Sequence, residues 1–127
     1  MVNEAMDVAE KVATSKITHK WYPEDSIAQN VVRYAYKLWG MDFVYVFECE
    51  NWAYDMKRRG DNGHAHWLCQ INDLYHKDIP EDYEIDWRVA VEYCYQKWKG
   101  GTKFYWPGRI IKGQKCANYV SNRFIIE

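Results

Sequence analysis

The sequence predicts a single domain of α+β structure, mainly α, that extends over residues 1–127. Two stretches, 27–38 and 86–99, repeat apolar residues at the spacing of one helix face. Between them lies a polar region with the sequence Gly-Asp-Asn-Gly at 60–63, which is typical of a turn. A chain of 127 residues is also long enough to bury one core.

The first part of the chain is predicted to hold three helices. Residues 1–20 place apolar side chains at roughly helical spacing, which predicts a short amphipathic helix. The Pro-Glu-Asp-Ser stretch at 23–26 predicts the start of a second helix, because its acids suit the positive end of the helix dipole. Gly40 ends that helix, and Asp42 is predicted to cap a third one over roughly 42–50.

The middle of the chain predicts shorter elements before the helices resume. Residues 51–67 predict a small hairpin or an irregular loop that forms one wall of a cleft, and 68–72 a short helix or extended segment. Residues 86–99 predict a long amphipathic helix that Asp opens and Gly-Gly stops. An aromatic loop is predicted over 103–111 and a final helix over about 114–123.

Composition narrows the classes of function. The net charge of −1 gives no broad basic field, so no nucleic-acid partner is expected. No run of eighteen apolar residues occurs and residues 1–16 lack an apolar signal-peptide core, so neither membrane insertion nor a leader is expected. The 17% of aromatic residues suits an extended sugar cleft, although most of these rings are expected to pack in the core.

The four cysteines are expected to be buried free thiols. They are Cys49, Cys69, Cys94 and Cys116. They lie in apolar or mixed segments without tight spacing, and the sequence shows no sign of secretion. One or two disulfides are left open, with three connectivities for full pairing.

The most informative pattern begins with an apolar run at 43–47 that ends in Glu48. Asp61 lies thirteen residues after Glu48, Gln70 twenty-two after it, and His76 six after Gln70. A carboxylic acid at the end of an apolar helix, facing a polar hairpin, is typical of a glycosidase. Burial disfavours its charged form, so such a group is expected to hold a proton near neutral pH.

Residues 40–78 resemble the catalytic half of goose-type lysozymes and soluble lytic transglycosylases. That family has a glutamate and a small polar residue, a glycine-rich stretch, a Gly-Leu-Met-Gln-Val/Ile-Asp/Asn signature and then Tyr/Ser-His. This chain has Glu-Cys at 48–49, Gly-Asp-Asn-Gly at 60–63, Trp-Leu-Cys-Gln-Ile-Asn at 67–72 and Tyr-His at 75–76. The resemblance implies a lysozyme-like fold with a small β-hairpin or loop lobe beside the catalytic cleft.

The resemblance also implies a muramidase that cleaves the β-1,4 bond between N-acetylmuramic acid and N-acetylglucosamine in bacterial peptidoglycan. Glu48 is the expected general acid, and Glu50 is its rival two residues on. Glu48 is favoured because Glu48-Cys49 fits the family's Glu-Ser pair. Asp61 is expected to act as the base or to hold the attacking water, although an aspartate equally suits a turn.

The choice between two reactions is left open. Asn72 stands where goose-type enzymes carry a second aspartate, and an asparagine cannot accept a proton at neutral pH. Asp61 favours a hydrolase that inverts its product. A lytic transglycosylase would need only Glu48, because the muramyl 6-hydroxyl attacks and leaves a 1,6-anhydro end.

Five residues are expected to bind substrate. Gln70, Asn72 and His76 carry groups that hydrogen-bond to sugar hydroxyl and N-acetyl groups. Trp67 replaces a glycine of the family and is expected to form an aromatic wall. Tyr105 resembles the tyrosine of the family's later Ala-Tyr-Asn stretch.

Two other classes of function are left open. A His-x-His-x-x-Cys cluster and a further cysteine give four candidate zinc ligands: His64, His66, Cys69 and Cys49. Alternatively, the departures from the family pattern at Cys49, Trp67 and Asn72 fit a glycan-binding module without turnover. No cofactor is expected, and the expected partner is the peptidoglycan glycan strand. Delivery to the cell wall is expected from a phage, through a holin or in the virion, and the oligomeric state stays open.

Overall fold

The computed structural model describes residues 17–100 and 113–127. Four helices and two small antiparallel sheets occupy these residues, so the predicted class, α+β and mainly α, is confirmed. In chain order the elements are β1 (Ile17–His19), α1 (Ile27–Leu38), α2 (Met41–Glu50), β2 (Arg59–Gly60), β3 (Ala65–His66), β4 (Ile71–Asn72), α3 (Trp87–Lys99), α4 (Gly113–Val120) and β5 (Phe124–Ile126).

The two ends of the described chain meet in one sheet. Strand β1 pairs antiparallel with β5, with Thr18 opposite Ile125. The buried Gln29 side chain on α1 fixes β1 from the other side, because it accepts a hydrogen bond from the His19 N–H at 2.9 Å and donates one to the His19 carbonyl at 2.6 Å. The predicted helix over 1–20 lies largely outside the described residues, and its described end is wrong because Ile17–His19 is a strand.

Two of the helices, α1 and α3, begin at the capping residues that the sequence predicts. The Ser26 hydroxyl accepts a hydrogen bond from the backbone N–H of Gln29 at the start of α1, and the Asp86 carboxylate caps α3 in the same way. The predicted cap of α2 is wrong. Gly40, at φ 114°, is its N-cap without a side-chain hydrogen bond, and Asp42 lies inside the first turn.

The core lies around α1, which packs against α2, α3 and β1, and Phe43 on α2 contacts Trp98 on α3. Its completely buried apolar residues include Val31, Ala35, Phe43, Phe47, Trp67, Leu68, Tyr83, Ala90 and Val91. This packing fixes the position at which α2 ends. Within residues 17–100 and 113–127, no helix is long and apolar enough to span a membrane.

A small sheet of three strands follows α2. Its order is β2-β3-β4, with Gly60 opposite Ala65 and Ala65 opposite Asn72. The predicted hairpin within 51–67 is confirmed, and of the two alternatives for 68–72 the extended one holds at its end. The turn between β2 and β3 contains Asp61.

The prediction of free thiols is wrong. Cys49 on α2 is bonded to Cys116 on α4, and Cys69 is bonded to Cys94 on α3. The partners are 67 and 25 residues apart and come together only through the fold, so their spacing along the chain does not indicate pairing. The final helix was predicted over 114–123, and its last turn, Ser121–Arg123, is a 3₁₀ helix. The predicted aromatic loop at 103–111 lies outside the described residues.

Candidate active site

Two glutamates lie in the last turn of α2, at positions 48 and 50. Two residues on a helix correspond to a rotation of roughly 200°, so the two side chains leave the helix on different sides. The packing of α2 buries Glu48 completely, whereas Glu50 is partly exposed. The two carboxyl groups therefore lie in different surroundings.

Glu48 accepts three hydrogen bonds from side chains. Its Oε1 lies 3.0 Å from His19 Nε2 and 2.7 Å from Arg123 Nη1, and its Oε2 accepts from the Tyr54 hydroxyl at 2.8 Å. Glu48 and His19 have side chains with no exposed surface, and Arg123 is 21% exposed. The carboxylate is thus enclosed by donors.

The charge of Glu48 is balanced by Arg123. The backbone N–H of Trp21 donates to His19 Nδ1 at 3.1 Å, so the hydrogen of the His19 ring is assigned to Nε2, where it faces Glu48. The Nε2–H of His19 in this tautomer donates to Glu48 Oε1. The guanidinium of Arg123 then forms the ion pair.

The expectation that burial keeps Glu48 protonated is wrong. Burial does raise the pKa of Glu48, but hydrogen bonds from His19, Arg123 and Tyr54 stabilise the carboxylate and bring the pKa below its ordinary value. These three donors come from β1, from the chain end and from the segment after α2. Sequence inspection missed all three, because no local motif marks them as partners of Glu48.

Glu50 has the environment that was expected of Glu48. It is the last residue of α2, where the negative end of the helix dipole disfavours a second negative charge. Within residues 17–100 and 113–127, no side chain donates a hydrogen bond to its carboxylate. Burial raises the pKa of Glu50 to about 7, against a lowering by Arg58 and with a further increase from the charge of Asp61. Glu50 can therefore hold a proton near neutral pH.

Asp61 lies in the turn between β2 and β3. Its φ of 49° and that of Asn62, 57°, are left-handed, which aspartate and asparagine tolerate better than most residues. Asp61 therefore forms part of a turn, which is one of the two roles that the sequence predicts for it. It is also exposed and close enough to α2 for its charge to act on Glu50. The turn thus supplies a second carboxylate beside the first.

Gln70 lies across the same sheet. Its φ is 52°, and its side-chain Nε2 donates a hydrogen bond to the Trp67 carbonyl at 2.9 Å. Its side-chain oxygen, Oε1, lies against Gly60 of β2. A Cβ atom on Gly60 would lie 2.6 Å from Gln70 Oε1, so the side chain approaches this strand because residue 60 is glycine. Gln70 remains partly exposed next to the turn that holds Asp61.

The other predicted substrate contacts do not join this group. Trp67 is completely buried and its indole N–H donates to the Tyr83 carbonyl at 2.7 Å, so the predicted aromatic wall is wrong. Asn72 is partly exposed, and its side-chain oxygen accepts from the Leu74 N–H at 2.9 Å within a local turn. Tyr105 lies outside the described residues.

His76 lies at a different cavity, of about 450 Å³, whose described lining includes neither Glu48 nor Glu50. The histidine is 8% exposed, and burial together with the charge of Lys97 lowers its pKa. His76 therefore faces a site other than the one formed by Glu50 and Asp61.

His66 borders the same cavity and is bonded at both ring nitrogens. Nδ1 lies 2.7 Å from Glu84 Oε1, and Nε2 lies 2.6 Å from Asp73 Oδ2. His64 Nδ1 contacts the other oxygen of Asp73 at 2.8 Å. Since the cysteines of the zinc hypothesis form disulfides, that hypothesis loses its thiolates. The part of the chain that the structure describes contains no group of three or more residues placed to hold a metal ion.

The chain was compared with known proteins in three ways. No protein-family model matches it, and neither the curated proteins nor the solved structures give a match.

Proposed function

We propose that the protein is a peptidoglycan-cleaving muramidase with Glu50 as its general acid. The observation that carries the proposal is the Glu50 carboxyl at the end of α2, whose pKa is raised to about 7 and which accepts no hydrogen bond from the described residues. Glu48, which the sequence pattern favoured, becomes a structural residue in this account. Its carboxylate is enclosed by His19, Tyr54 and Arg123.

The chemistry of glycoside cleavage requires such an acid. The leaving oxygen needs a proton while positive charge develops on the sugar ring, and a group with a pKa near the working pH delivers it best. Glu50 donates its proton to that oxygen as the bond to the anomeric carbon breaks. A water molecule then attacks the anomeric carbon and gives a proton to Asp61, which leaves an inverted sugar and a free reducing end.

The goose-type pattern keeps its residue types and their order after a shift of two residues, but not its spacing, because Asp61 and Gln70 lie eleven and twenty residues after Glu50 instead of thirteen and twenty-two. Glu50 is followed by Asn51, a small polar residue, as the family's glutamate is followed by one. Asp61 and Gln70 keep their order behind it. A helix that ends in an acid next to a small three-stranded sheet also suits the lysozyme-like fold, which we include in the proposal.

Lytic transglycosylation is the second candidate reaction. Asp61 is placed by a left-handed turn, and Asn72 uses its side-chain oxygen within its own turn. A mechanism that needs only one acid would leave both residues in those local roles. The muramyl 6-hydroxyl would then attack the anomeric carbon in place of water, give its proton to the Glu50 carboxylate and leave a 1,6-anhydro end.

The proposal places the site of action at the bacterial cell wall. A phage that carries the protein in its virion, or that releases it through a holin, would bring it there. The glycan strand is the partner in either case, and the described residues of the protein supply the acid without a cofactor in this mechanism.

Mass spectrometry of fragments released from purified peptidoglycan tests the proposal. Wild type, Glu50→Gln and Asp61→Asn are compared with Glu81→Gln, which removes an exposed carboxylate elsewhere. Reducing-end fragments that disappear in Glu50→Gln are expected, with Asp61→Asn strongly impaired. Anhydro fragments together with an active Asp61→Asn protein would favour the transglycosylase. Intact cleavage by Glu50→Gln, or no fragments from wild type, would contradict the proposed function.

A further inference from the structure

A second cavity, of about 360 Å³, lies on the Glu48 side of α2. Its polar floor is the ion pair of Glu48 with Arg123, and the disulfide between Cys49 and Cys116 also borders it. Val120 and three large aromatic side chains also line it; the aromatic residues are Trp21, Trp52 and Tyr119. We call this cavity the aromatic pocket. Glu50 is not among the described residues that line it.

The aromatic rings of this pocket are unusually exposed. Trp52 is 57% exposed and Tyr119 is 79% exposed, and neither ring stacks on another ring of residues 17–100 or 113–127. Trp21 is 55% exposed and carries the Arg123 guanidinium 4.0 Å from its ring centre. Clustered exposed apolar surface with a polar border is a feature of binding sites. Trp52 and Tyr119 thus present largely exposed ring surface to a ligand.

The floor of the pocket indicates which ligand fits. Glu48 and Arg123 cancel each other's charge at 2.7 Å, so the floor attracts neither an anion nor a cation strongly. The guanidinium nevertheless has five N–H donors, more than its bond to Glu48 uses. Apolar ring faces above a neutral but hydrogen-bonding floor suit an uncharged molecule with an apolar face and polar edges. A sugar ring has this character, and the cavity lies within the size range of small-molecule sites.

We propose that the aromatic pocket is a glycan-binding site that holds an N-acetylhexosamine ring against Trp52 and Tyr119, apart from the Glu50 site. The identity of the sugar rests on the proposed function, whereas the pocket itself rests on its own lining. Two separate contacts with one strand would retain a polymer between cleavage events. The pocket would therefore act on the affinity for long glycans, with no part in proton transfer.

The test titrates N-acetylglucosamine trimer into the full chain and follows binding by calorimetry. Glu50→Gln is used as the background, so that the trimer stays intact. Trp52→Ala and Tyr119→Ala are each expected to weaken binding about tenfold, since ring stacking is of that strength. Tyr75→Ala is the matched control, because Tyr75 is 78% exposed and lies outside the pocket. Unchanged affinity in both pocket variants, or an equal loss in Tyr75→Ala, would overturn the proposal.

Chemical-shift mapping on the Glu50→Gln chain, in which every residue of the aromatic pocket is unchanged and the trimer stays intact, keeps the test independent of the folding of the pocket variants. The trimer is expected to shift the indole N–H signals of Trp21 and Trp52. Absence of these shifts at saturating trimer, or the same shifts from raising the protein concentration alone, would overturn the proposal. Peptidoglycan cleavage without trimer binding at the pocket would remove this inference and leave the proposed function standing. Pocket binding without any cleavage would do the reverse.

Discussion

Glu48 and Glu50 are two residues apart on one helix turn, yet they occupy opposite electrostatic environments. Glu48 accepts hydrogen bonds from His19, Tyr54 and Arg123, and its pKa is lowered. Glu50 accepts none from the described residues, and burial raises its pKa to about 7. The rotation of the helix separates a carboxylate that stabilises the fold from a carboxyl that can donate a proton.

The first prediction is that Glu50→Gln stabilises the protein at alkaline pH. The folded-state pKa of about 7 lies above the ordinary 4.5, so the folded state binds more protons than the unfolded state between these values. Stability therefore falls as the pH rises through this window. Glutamine cannot ionise, so the free energy of unfolding of the variant is expected to be higher by up to about 3 kcal/mol at pH 8. Each unit of difference between the folded and unfolded pKa corresponds to about 1.36 kcal/mol.

Urea unfolding at pH 4 and pH 8 measures this effect. At pH 4 the gain should vanish, because Glu50 is protonated in both states. Glu81→Gln serves as the control and should unfold like wild type at both values. A Glu50→Gln protein that is no more stable than wild type at pH 8 would show that this carboxyl is not held in an unfavourable environment.

The second prediction is that Glu48→Gln destabilises the protein at neutral pH. Substitution leaves the guanidinium of Arg123 without its anion, and breaking such a buried pair costs about 3 kcal/mol or more. The folded-state pKa of Glu48 is lowered, so its stabilisation is present above the unfolded value of 4.5 and is lost as the pH falls below it. The difference between variant and wild type should thus shrink in acid, in thermal unfolding from pH 7 to pH 3. An equal stability at pH 7 would contradict this role.

The sequence predicts the helices better than it predicts the site. Ser26 and Asp86 are local caps, and the helices that they begin were predicted correctly. The β1–β5 pairing and both disulfides depend on contacts between distant parts of the chain, which a local pattern does not contain. The lowered pKa of Glu48 could not be predicted for the same reason. Two of the donors to Glu48 are His19 and Arg123, at 29 and 75 residues' separation.

The third prediction concerns the order in which the disulfides are reduced. Cys49 and Cys116 border the aromatic pocket and are partly exposed, whereas Cys69 and Cys94 have no exposed surface. Reduction with increasing dithiothreitol should therefore label the first pair before the second, as peptide mass spectrometry after alkylation would show. Loss of the first pair, which closes a loop of 67 residues, is expected to cost about 4 kcal/mol. Simultaneous labelling of all four cysteines would contradict the prediction.

The fourth prediction couples Gly60 to Gln70. A Cβ at position 60 would displace the Gln70 side chain and break its hydrogen bond to the Trp67 carbonyl. Gly60→Ala is therefore expected to cost about 1 kcal/mol of unfolding free energy in the wild-type background. In a Gln70→Ala background most of this cost should disappear, which a double-mutant cycle measures. The same cost in both backgrounds would mean that the strand itself, and not Gln70, requires glycine.

The assignment of the acid to Glu50 can be tested most directly by NMR titration of the side-chain carboxyl carbons of the wild-type protein. Glu48→Gln and Glu50→Gln identify the two signals. We expect the Glu50 signal to titrate with a midpoint of about 7 and the Glu48 signal to titrate below 4.5. A Glu50 midpoint near 4.5 together with a Glu48 midpoint near neutral pH would contradict this assignment and would return the acid to Glu48.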